Sequence, residues 1–497
     1  MLWSRRQPLL PARPRPAARA PSLRRAPAAR LAAAAIVGLA LALAPAVASA
    51  RNLAHTHARS ARGPSVHGPS VSAALLGLEQ SGAITPASHQ HDYSAYLAAK
   101  RSLGRLAGTR RAELGAVLAN LQAIATAGGF TPSRLPALFL TLERNRQWWT
   151  TEPLLANGAR VSFAPSKIVW QYYAGQGIEI QWLATFGKAN GYYLSGHENA
   201  NLRQLLGEVL PLASSRAGGI AWEYEFRFDG GTPPWTSGLS QGTALQALAR
   251  AYSRFKEPEQ LTAARQALGV FRSPPPAGVR VRTALGAHYA EYSYAPADRI
   301  LNGFIQALVG LYDYTSISKD PLGLALFQAG DAEARAEVPR YDTGAWSLYD
   351  QFGESSLGYH ELLTEFLQHL CERTRQGPPL AAAGSAPVTG DEIYCSTARR
   401  FTADLRTPPQ IALLTTALRG ATRAGVQLSL SKISTVAMTV RQGARVVWSN
   451  RATLERGRPR LLWPTPGGPG TYSVTLVATD PAGNFATTSG TIVVSRH

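Results

Sequence analysis

The chain has 497 residues, two cysteines and a formal net charge of +20, from 51 Lys and Arg against 31 Asp and Glu. Its length predicts two or three domains, and a hydrophobic fraction of 45% excludes a mainly disordered protein. Two cysteines exclude both a disulfide-rich scaffold and a zinc site with four cysteine ligands.

The positive charge is concentrated at the two ends of the sequence. Residues 1–50 contain eight Arg and no acidic residue, and residues 396–497 contain 12 Arg and one Lys against three acidic residues. The middle of the chain, 51–395, carries a net charge of only about +2. A nucleic-acid binder needs a basic patch on its folded body, so that class of partner is the least favoured, and we expect no nucleic acid.

Residues 1–50 have the organisation of a signal peptide. An Arg-rich stretch leads into the apolar run 31–44, and Ala48-Ser49-Ala50 is typical of a cleavage site. We predict a secreted or cell-envelope protein, with an uncleaved membrane anchor as the alternative. Export would permit a disulfide between Cys371 and Cys395, but two unpaired buried cysteines are also consistent with the sequence.

Residues 51–90 are rich in Ser, His, Gly, Pro and Ala without sustained periodicity, which predicts a flexible linker. Helical periodicity then dominates 91–375, and this predicts an antiparallel helical array of the (α/α) toroid or barrel type, whose loops line one end. Segments 222–228 and 280–292 alternate like strands and are expected to project into the cleft. Ten runs carry the helical pattern: 93–106, 111–127, 132–149, 177–193, 199–213, 237–254, 258–271, 299–316, 321–337 and 358–373.

Residues 376–404 are predicted to be a linker, and residues 405–497 a small immunoglobulin-like β-sandwich. Short runs with period-two alternation, such as 426–430, 436–440 and 472–478, are separated there by Gly, Pro and Asn turns. This stretch is basic, so it is a candidate for holding an acidic chain or an anionic cell envelope. The alternative is an ordinary solvated surface. Six Arg are clustered there in sequence: Arg441, Arg445, Arg451, Arg456, Arg458 and Arg460.

Standard catalytic motifs are missing from the sequence. It contains no Gly-x-Ser-x-Gly, no Walker loop, no His-Glu-x-x-His and no dinucleotide-binding fingerprint. Its ten His are scattered, with four in the predicted linker and His91 directly after it, so no metal site is predicted.

Tyr, Trp, Gln and Gly are concentrated in four segments between the predicted helices. Flat aromatic faces and amide groups are suited to a carbohydrate groove, because they pack on sugar rings and bind hydroxyl groups. The alternative is that these aromatic residues only fill the core of the helical array. The segments are 170–181, 230–246, 288–305 and 341–350, the last followed by Tyr359-His360.

In their order along the chain and in their residues, these segments resemble the C-terminal domain of D-glucuronyl C5-epimerases, over roughly 165–372. Ser237-Gly-Leu-Ser-Gln-Gly-Thr-Ala-Leu is similar to one family segment, and Glu291-Tyr292 followed by Leu301-Asn-Gly-Phe is similar to a second. Tyr341-Asp-Thr-Gly, Tyr349-Asp350 and Tyr359-His360 continue the likeness.

The resemblance implies an (α/α) toroid that epimerises uronate residues of an acidic polysaccharide at C5, with no cofactor. The C5 proton has low acidity, so the reaction needs a base on one face of the sugar and an acid on the other. The catalytic residues implied are Glu291, Tyr292, Tyr349 and Tyr359, with Glu291 and Tyr359 as the opposed pair. The predicted substrate-binding residues are Tyr173, Gln176, Trp235, Gln241, Arg299, Asn302 and His360.

The sequence departs from the family at one charged position. The family has an Arg suited to pairing the substrate carboxylate, whereas this chain reads Tyr349-Asp350-Gln351-Phe352. Arg299 or Arg227 would replace it, or the substrate differs. Two other function classes stay open: a polysaccharide lyase that begins with the same proton abstraction, and a non-catalytic glycan-binding envelope protein.

Overall fold

The protein is described here by a computed structural model, which covers residues 68–376, 392–419, 424–464 and 468–495. The predicted signal peptide and the first part of the predicted linker lie outside these residues. A helical region, 71–404, precedes a region of β-strands, 411–495, which we call the β region. Within the described residues, no helix has both the length and the apolar character needed to span a bilayer.

Each of the ten predicted helical runs coincides with one helix, because an apolar stripe of helical period is buried wherever it occurs. Two further helices, at either end of the region, were predicted as linkers. The helices are α1 (Val71–Gln80), α2 (Pro86–Arg105), α3 (Gly108–Thr126), α4 (Leu135–Thr151), α5 (Trp182–Ser195), α6 (Asn199–Val209), α7 (Gly238–Phe255), α8 (Pro258–Arg272), α9 (Leu301–Ser318), α10 (Pro321–Glu337), α11 (Leu357–Gln376) and α12 (Glu392–Asp404).

Helices α7 and α9 form the centre of the helical region. Both are buried along most of their length, and α5, α8, α10 and α11 pack around them. Their backbones approach closely at two glycines, since a Cβ at Gly310 would lie 2.0 Å from the carbonyl oxygen of Gly242. Any larger residue there would separate the two helices, so the glycines set the position of the loops at their ends.

The segment predicted as a linker is helical from Val71 onward. Val71 and Leu75 are fully buried, and the Ser70 side chain accepts a hydrogen bond from Ala73 N at the start of α1. Apolar residues at 71, 75 and 78 follow the helical period, but the run is short and the surrounding composition is that of a loop. Tertiary packing therefore decides the structure of this segment.

Short strands lie between the helices, and one of them contributes Gln171 and Tyr173 to the cavity wall described below. They are β1 (Arg160–Val161), β2 (Trp170–Tyr173), β3 (Gly177–Ile180), β4 (Ser214–Arg216), β5 (Gly219–Ala221), β6 (Arg280–Arg282) and β7 (Ala287–Tyr289). The antiparallel sheet β1-β2-β3 places Arg160 opposite Gln171 and Gln171 opposite Glu179. Residues opposite each other in such a sheet point to the same face, so these three side chains form one row. The predicted helix at 177–193 begins only at Trp182, because 177–180 pairs with β2.

The predicted linker at 376–404 contains helix α12, and residues 377–391 lie outside the described residues. Cys371 of α11 and Cys395 of α12 form a disulfide with a Cα–Cα distance of 4.9 Å. Of the two alternatives that the sequence left open for the cysteines, the structure has the bridge. It fixes α12 against α11 across the intervening segment.

Two sheets of the β region enclose one hydrophobic core. Alternate residues of each strand point into this core, as the period-two pattern predicts; Val426, Leu428 and Leu430 are one such series. The sheet orders are β13-β10-β8 and β12-β11-β14-β15-β9. The strands are β8 (Ile411–Leu413), β9 (Ala417–Arg419), β10 (Ala424–Leu430), β11 (Ser434–Gln442), β12 (Arg445–Leu454), β13 (Arg460–Trp463), β14 (Gly470–Thr479) and β15 (Phe485–Ser495).

A buried lysine joins the β region to the helical region. Lys432 Nζ lies 2.7 Å from a carboxylate oxygen of Asp480 and donates to the backbone oxygens of Asp404, at 2.8 Å, and Thr407, at 2.6 Å. The same ammonium lies 5.1 Å from the centre of the Trp346 ring. A buried charge is tolerated only with such a full set of partners, so this contact fixes the two regions together.

Candidate active site

A cavity of about 370 Å³ opens among the loops at one end of the helical region. Its volume falls within the range of roughly 300–1,000 Å³ that is common for small-molecule sites. Most of its walls are aromatic or carry amide and carboxyl groups. The lining residues are Asn157, Gly158, Gln171, Tyr173, Gln181, Leu183, Tyr224, Phe226, Phe228, Asp229, Trp235, Ser237, Glu291, Tyr292, Asp298, Ile300, Tyr349, Asp350 and Tyr359.

Glu291 is a buried carboxyl group at the wall of this cavity. Ser237, which caps the start of α7, donates from Oγ to Glu291 Oε1 over 3.4 Å. Glu291 Oε2 lies against the backbone of α9, where a Cβ at Gly303 would come within 1.8 Å of it. Burial raises the pKa of Glu291 from 4.5 to about 8, and the Ser237 hydrogen bond only partly opposes this shift. The group can therefore hold or release a proton near neutral pH.

Three tyrosines lie beside Glu291 in the same cavity. The rings of Tyr349 and Tyr359 are 4.6 Å apart between centroids, and Tyr292 stacks on Tyr294 at 5.3 Å. Burial, with Tyr359 and Glu291 adding to it, raises the pKa of Tyr349 far above its usual value, and a hydrogen bond with Tyr292 opposes this. Burial also raises the pKa of Tyr359, while a hydrogen bond with Tyr349 lowers it. These hydroxyls therefore stay protonated at neutral pH and are linked to one another.

Another part of the wall is aromatic and is ordered by one glutamine. Gln181 Nε2 donates to the Tyr173 hydroxyl over 2.8 Å, and the Tyr224 hydroxyl donates to Gln181 Oε1 over 3.2 Å. Tyr224 stacks on Trp235 with 4.3 Å between ring centroids. Since the Tyr173 oxygen accepts from Gln181, its own proton is available to a bound ligand.

The cavity lining is acidic. It includes the carboxyl groups of Glu291, Asp229, Asp298 and Asp350, and no Lys, Arg or His belongs to the lining that the structure describes. Burial, followed by the charges of Asp350 and Asp229, raises the pKa of Asp298. An anionic ligand would therefore need a positive charge from just beyond these walls.

Arg160 of β1 lies next to the cavity lining without belonging to it. It lies opposite the lining residue Gln171 and follows Asn157 and Gly158, which also line the cavity. Burial raises the pKa of Tyr224 to about 12, and the positive charge of Arg160 acts in the opposite direction. Burial also raises the pKa of Tyr173, and the positive charge of Arg160 again lowers it.

Six of the eleven predicted site residues lie in this cavity, and five do not. Those inside are Tyr173, Trp235, Glu291, Tyr292, Tyr349 and Tyr359. Among those outside it, Gln176 Oε1 accepts hydrogen bonds from Asn120 Nδ2 and Arg227 N, both at 3.1 Å. Gln241 is fully buried and donates to the backbone oxygen of Trp222 over 2.9 Å. Both amides stabilise the packing around the cavity.

The other three predicted residues also have partners in the protein interior or lie behind the wall. Arg299 Nη1 lies 3.3 Å from a carboxylate oxygen of Glu337. His360 is fully buried, stacks on Trp346 with 3.7 Å between ring centroids, and has a pKa lowered by burial to about 4. Asn302 is buried at the start of α9, and among the described residues its Oδ1 has no hydrogen-bond partner.

Several lining residues were not among the predicted site residues, although the sequence carried a signal for them. Gln171 alternates with the predicted Tyr173 along β2, and Tyr224, Phe226 and Phe228 alternate along 222–228, the segment expected to project into the cleft. Alternate residues of an extended segment share a face, so one predicted cavity residue implies its neighbours two positions away. The acids Asp229, Asp298 and Asp350 lie in loops and carry no periodic signal.

No group of three or more His, Cys, Asp or Glu within the described residues is arranged to hold a metal ion. The lining acids therefore do not form a recognisable metal site in this part of the chain.

Solved structures share only a loose likeness with the chain. A sugar epimerase from a ruminal bacterium is 12% identical with a TM-score of 0.31, over 45% of this chain and 59% of that one. A GH76 α-mannanase from Bacteroides thetaiotaomicron is 12% identical with a TM-score of 0.33, over 50% and 66%. At these TM-scores the likeness does not establish a shared fold.

Sequence relatives are more informative. A D-glucuronyl C5-epimerase of Caenorhabditis elegans is 31% identical over 131 residues, which are 24% of this chain and 21% of that protein. An uncharacterized protein of Methanocaldococcus jannaschii is 29% identical over 182 residues, 35% of this chain and 54% of that protein. The chain thus spans about a fifth and about half of the lengths of these relatives.

Residues 217–378 match the family model described as the D-glucuronyl C5-epimerase C-terminus. This range contains Glu291, Tyr292, Tyr349 and Tyr359, which the structure brings together at one cavity. The resemblance seen in the sequence is confirmed over this range: residues 217–378 are similar to the C-terminal domain of D-glucuronyl C5-epimerases.

Proposed function

We propose that the protein is a C5-epimerase of uronic acid residues in an acidic polysaccharide. The observation that carries the proposal is the buried carboxyl group of Glu291, with its raised pKa, at the same cavity as Tyr292, Tyr349 and Tyr359. An acid–base reaction on one carbon needs two proton-transferring groups around a single site, and this cavity has them. The match of residues 217–378 to the D-glucuronyl C5-epimerase C-terminus supports the same reaction class.

In the proposed reaction one proton is removed from C5 and another is added to the opposite face. In one direction Glu291 takes the C5 proton, and the electrons of the C–H bond pass into the neighbouring carboxylate to form an enolate-like intermediate. Tyr359 then donates a proton to the opposite face of C5, and Tyr349 assists through its hydrogen bond with Tyr359. After this step Glu291 releases its extra proton to solvent and the Tyr359 phenolate takes one up, which restores both groups. In the reverse direction the two groups exchange roles.

We assign the binding of the substrate carboxylate to Arg160. The carboxylate gains negative charge in the intermediate, so a guanidinium nearby would stabilise it. The lining is otherwise acidic, and Arg160 stands beside Gln171, Tyr173 and Tyr224.

Further parts of the proposal concern architecture and location. We propose that the helical region is an (α/α) toroid, that the β region is an immunoglobulin-like sandwich, and that the protein acts after export. The Cys371–Cys395 disulfide supports export, since such bonds persist in oxidising compartments. An association of the basic β region with an anionic cell envelope remains part of the proposal.

The test is incorporation of solvent deuterium at C5 of a glucuronate polymer, followed by NMR. Wild type is expected to exchange, and Glu291→Gln to lose about 10²–10⁴-fold in rate, the usual contribution of a general acid or base. Glu225→Gln is the matched control. Glu225 is equally buried and has a pKa raised well above normal by burial, but it does not line the cavity.

Three outcomes would contradict the proposal. Exchange at the no-enzyme level across several uronate polymers would exclude the reaction. Appearance of an unsaturated uronate that absorbs ultraviolet light would indicate a lyase instead. Equal losses in Glu291→Gln and Glu225→Gln would show that burial rather than position explains the effect.

A further inference from the structure

Exposed positive charge is distributed unevenly over the β region. Among the described residues of this region, Arg419 in β9 is exposed, and every other exposed cation lies on one side of the two sheets. Glu455 is the one exposed carboxylate there, and β14 and β15 carry no charged residue. We call the cations of this side the arginine edge; they are Arg441, Arg445, Arg451, Arg456, Arg458 and Arg460.

The sheet topology brings the arginine edge together. Strand β12 is the edge of the five-stranded sheet, and β13 is the edge of the three-stranded sheet. The two strands lie side by side, because Trp448 Nε1 and Asn450 Nδ2 of β12 donate to Leu462 O of β13, over 3.2 Å and 3.0 Å. The six arginines lie in these strands, in the segment that joins them and at the end of β11. Ten residues of β12 extend this surface over about 30 Å.

The charge of the arginine edge is not neutralised within the described part of the chain. None of the six arginines forms an ion pair with a carboxylate there. Lys432 gives the contrast, since its buried charge is paired with Asp480 and serves the fold. Six Arg against Glu455 leave a net charge of +5 on this side. Such a surface attracts an anionic partner.

Two aliphatic side chains are exposed among the arginines. Val446 directly follows Arg445 and is 48% exposed, and Leu462 lies two residues after Arg460 and is 43% exposed. A hydrated polyanion gains little from contact with aliphatic groups, whereas the headgroup region of a bilayer buries them. Arginines interspersed with exposed aliphatic residues therefore favour a lipid surface over a soluble polymer.

We propose that the arginine edge binds the surface of an anionic lipid membrane. This inference deepens the proposed association with a cell envelope by naming the surface of the protein and its partner. The guanidinium groups bind lipid phosphates, and Val446 and Leu462 enter the headgroup region. Arg456 N donates over 3.2 Å to Glu354 in the hairpin 347–355, which carries Tyr349 into the cavity of the candidate active site. One end of the arginine edge therefore adjoins that site.

Sedimentation with lipid vesicles tests this inference. The vesicles contain either equal parts of phosphatidylglycerol and phosphatidylcholine or phosphatidylcholine alone. Wild type is expected to bind the anionic vesicles only, and to lose this binding at high salt because salt screens exposed charges. The triple variant Arg445→Gln, Arg451→Gln, Arg460→Gln should bind about a hundredfold more weakly, since each basic residue near an anionic surface strengthens binding roughly fivefold.

The triple variant Arg101→Gln, Arg105→Gln, Arg282→Gln is the matched control. These arginines are also exposed but lie in the helical region, so the net charge changes equally at a different surface. Its binding should stay within about twofold of wild type, because distant charges are screened. Equal losses in the two triple variants, or no binding of wild type to anionic vesicles at low salt, would overturn the inference.

A second variant separates a lipid surface from a soluble polyanion. Val446→Ser with Leu462→Ser should weaken binding to anionic vesicles about tenfold and leave binding to dextran sulfate unchanged. Full vesicle binding by this variant would contradict insertion into lipid. If the Arg445, Arg451 and Arg460 variant aggregates without vesicles but still binds them as wild type does, the arginines only shield the edge strands, and the inference fails.

C5 exchange on a soluble glucuronate polymer is followed on the same proteins. None of the changed residues lines the cavity of the candidate active site, so every variant should exchange as wild type does. Exchange without vesicle binding removes the membrane surface alone, whereas vesicle binding without exchange removes the proposed reaction alone.

Discussion

Glu291 links the chemistry of the cavity to the stability of the fold. Its carboxyl group is 7% exposed, and burial raises its pKa from 4.5 to about 8. The folded protein therefore binds this proton more tightly than the unfolded chain does. The stabilising contribution of the neutral carboxyl is complete below pH 4.5, and it is lost as the pH rises through 8.

A first prediction follows from this fall in stability with rising pH. In urea unfolding, wild type should lose about 2–4 kcal/mol of its free energy of unfolding between pH 5 and pH 8 through Glu291 alone. Glu291→Gln stays neutral at every pH and should lack that part of the decline. If the free energy of unfolding fell equally with pH in the two proteins, the raised pKa of Glu291 would be contradicted, whatever their absolute stabilities.

A second prediction concerns the charge of Arg160. Arg160→Gln should raise KM for a uronate substrate about tenfold or more, since a charge-assisted hydrogen bond contributes about 1.5–3 kcal/mol. Arg160→Lys should restore part of this loss, because it keeps the charge but not the bidentate geometry. Arg227→Gln is the control: like Arg160, Arg227 is exposed and does not line the cavity, but only Arg160 lies opposite the lining residue Gln171. Equal effects of the Arg160→Gln and Arg227→Gln substitutions would show that only general charge matters.

Among the elements, the hairpin 347–355 depends most on a distant part of the chain. It carries Tyr349 into the cavity, and its position is set by the backbone amides of Ile433 and Arg456 on Glu354. Trp346, just before the hairpin, lies between the Lys432 ammonium and the His360 ring. Sequence patterns predicted a Tyr-rich loop here, but they could not predict that the β region holds it.

A third prediction tests this dependence. Glu354→Ala leaves two amides without their acceptor, and we expect a loss of about 1–2 kcal/mol in the free energy of unfolding. Amide hydrogen exchange at 347–355 should become faster, and kcat for C5 exchange should fall about tenfold as Tyr349 loses its fixed position. Glu455→Ala removes a neighbouring exposed carboxylate and should leave hydrogen exchange unchanged. A hairpin equally protected in both variants would refute the role of Glu354.

At the scale of the whole molecule, the helical region is closed by a covalent bond near its end. The Cys371–Cys395 disulfide joins positions 24 residues apart and holds α12 on α11. Helix α12 in turn contributes the backbone oxygen of Asp404 to the buried Lys432 of the β region. The disulfide therefore fixes the helix that contacts the β region.

A fourth prediction follows for reducing conditions. The double variant Cys371→Ser, Cys395→Ser should be less stable by about 3 kcal/mol, from the entropy of a closed loop of this length. Adding a reductant should lower the melting temperature of wild type toward that of the variant, and it should not affect the variant. A wild-type melting temperature that is insensitive to reductant would contradict a stabilising bridge.

The sequence by itself determined the order and type of most elements, because helix and strand periodicities are local properties of the chain. It also indicated Glu291, Tyr292, Tyr349 and Tyr359 through their motifs. It failed where the pattern was short, as in α1, or where pairing overrode it, as in Gly177–Ile180 of β3. Composition alone could not reveal α12 inside a predicted linker.

Only the tertiary structure decided which side chains share the cavity. Gln241, Asn302 and His360 lie within or beside the recognised motifs, yet they are buried in packing positions outside the cavity lining. Arg160 is distant in sequence from those motifs, and strand register places it opposite the lining residue Gln171. Burial, register and the contact of the β region with the hairpin depend on residues far apart in the chain. No local pattern encodes them, so the site becomes complete only when the whole chain has packed.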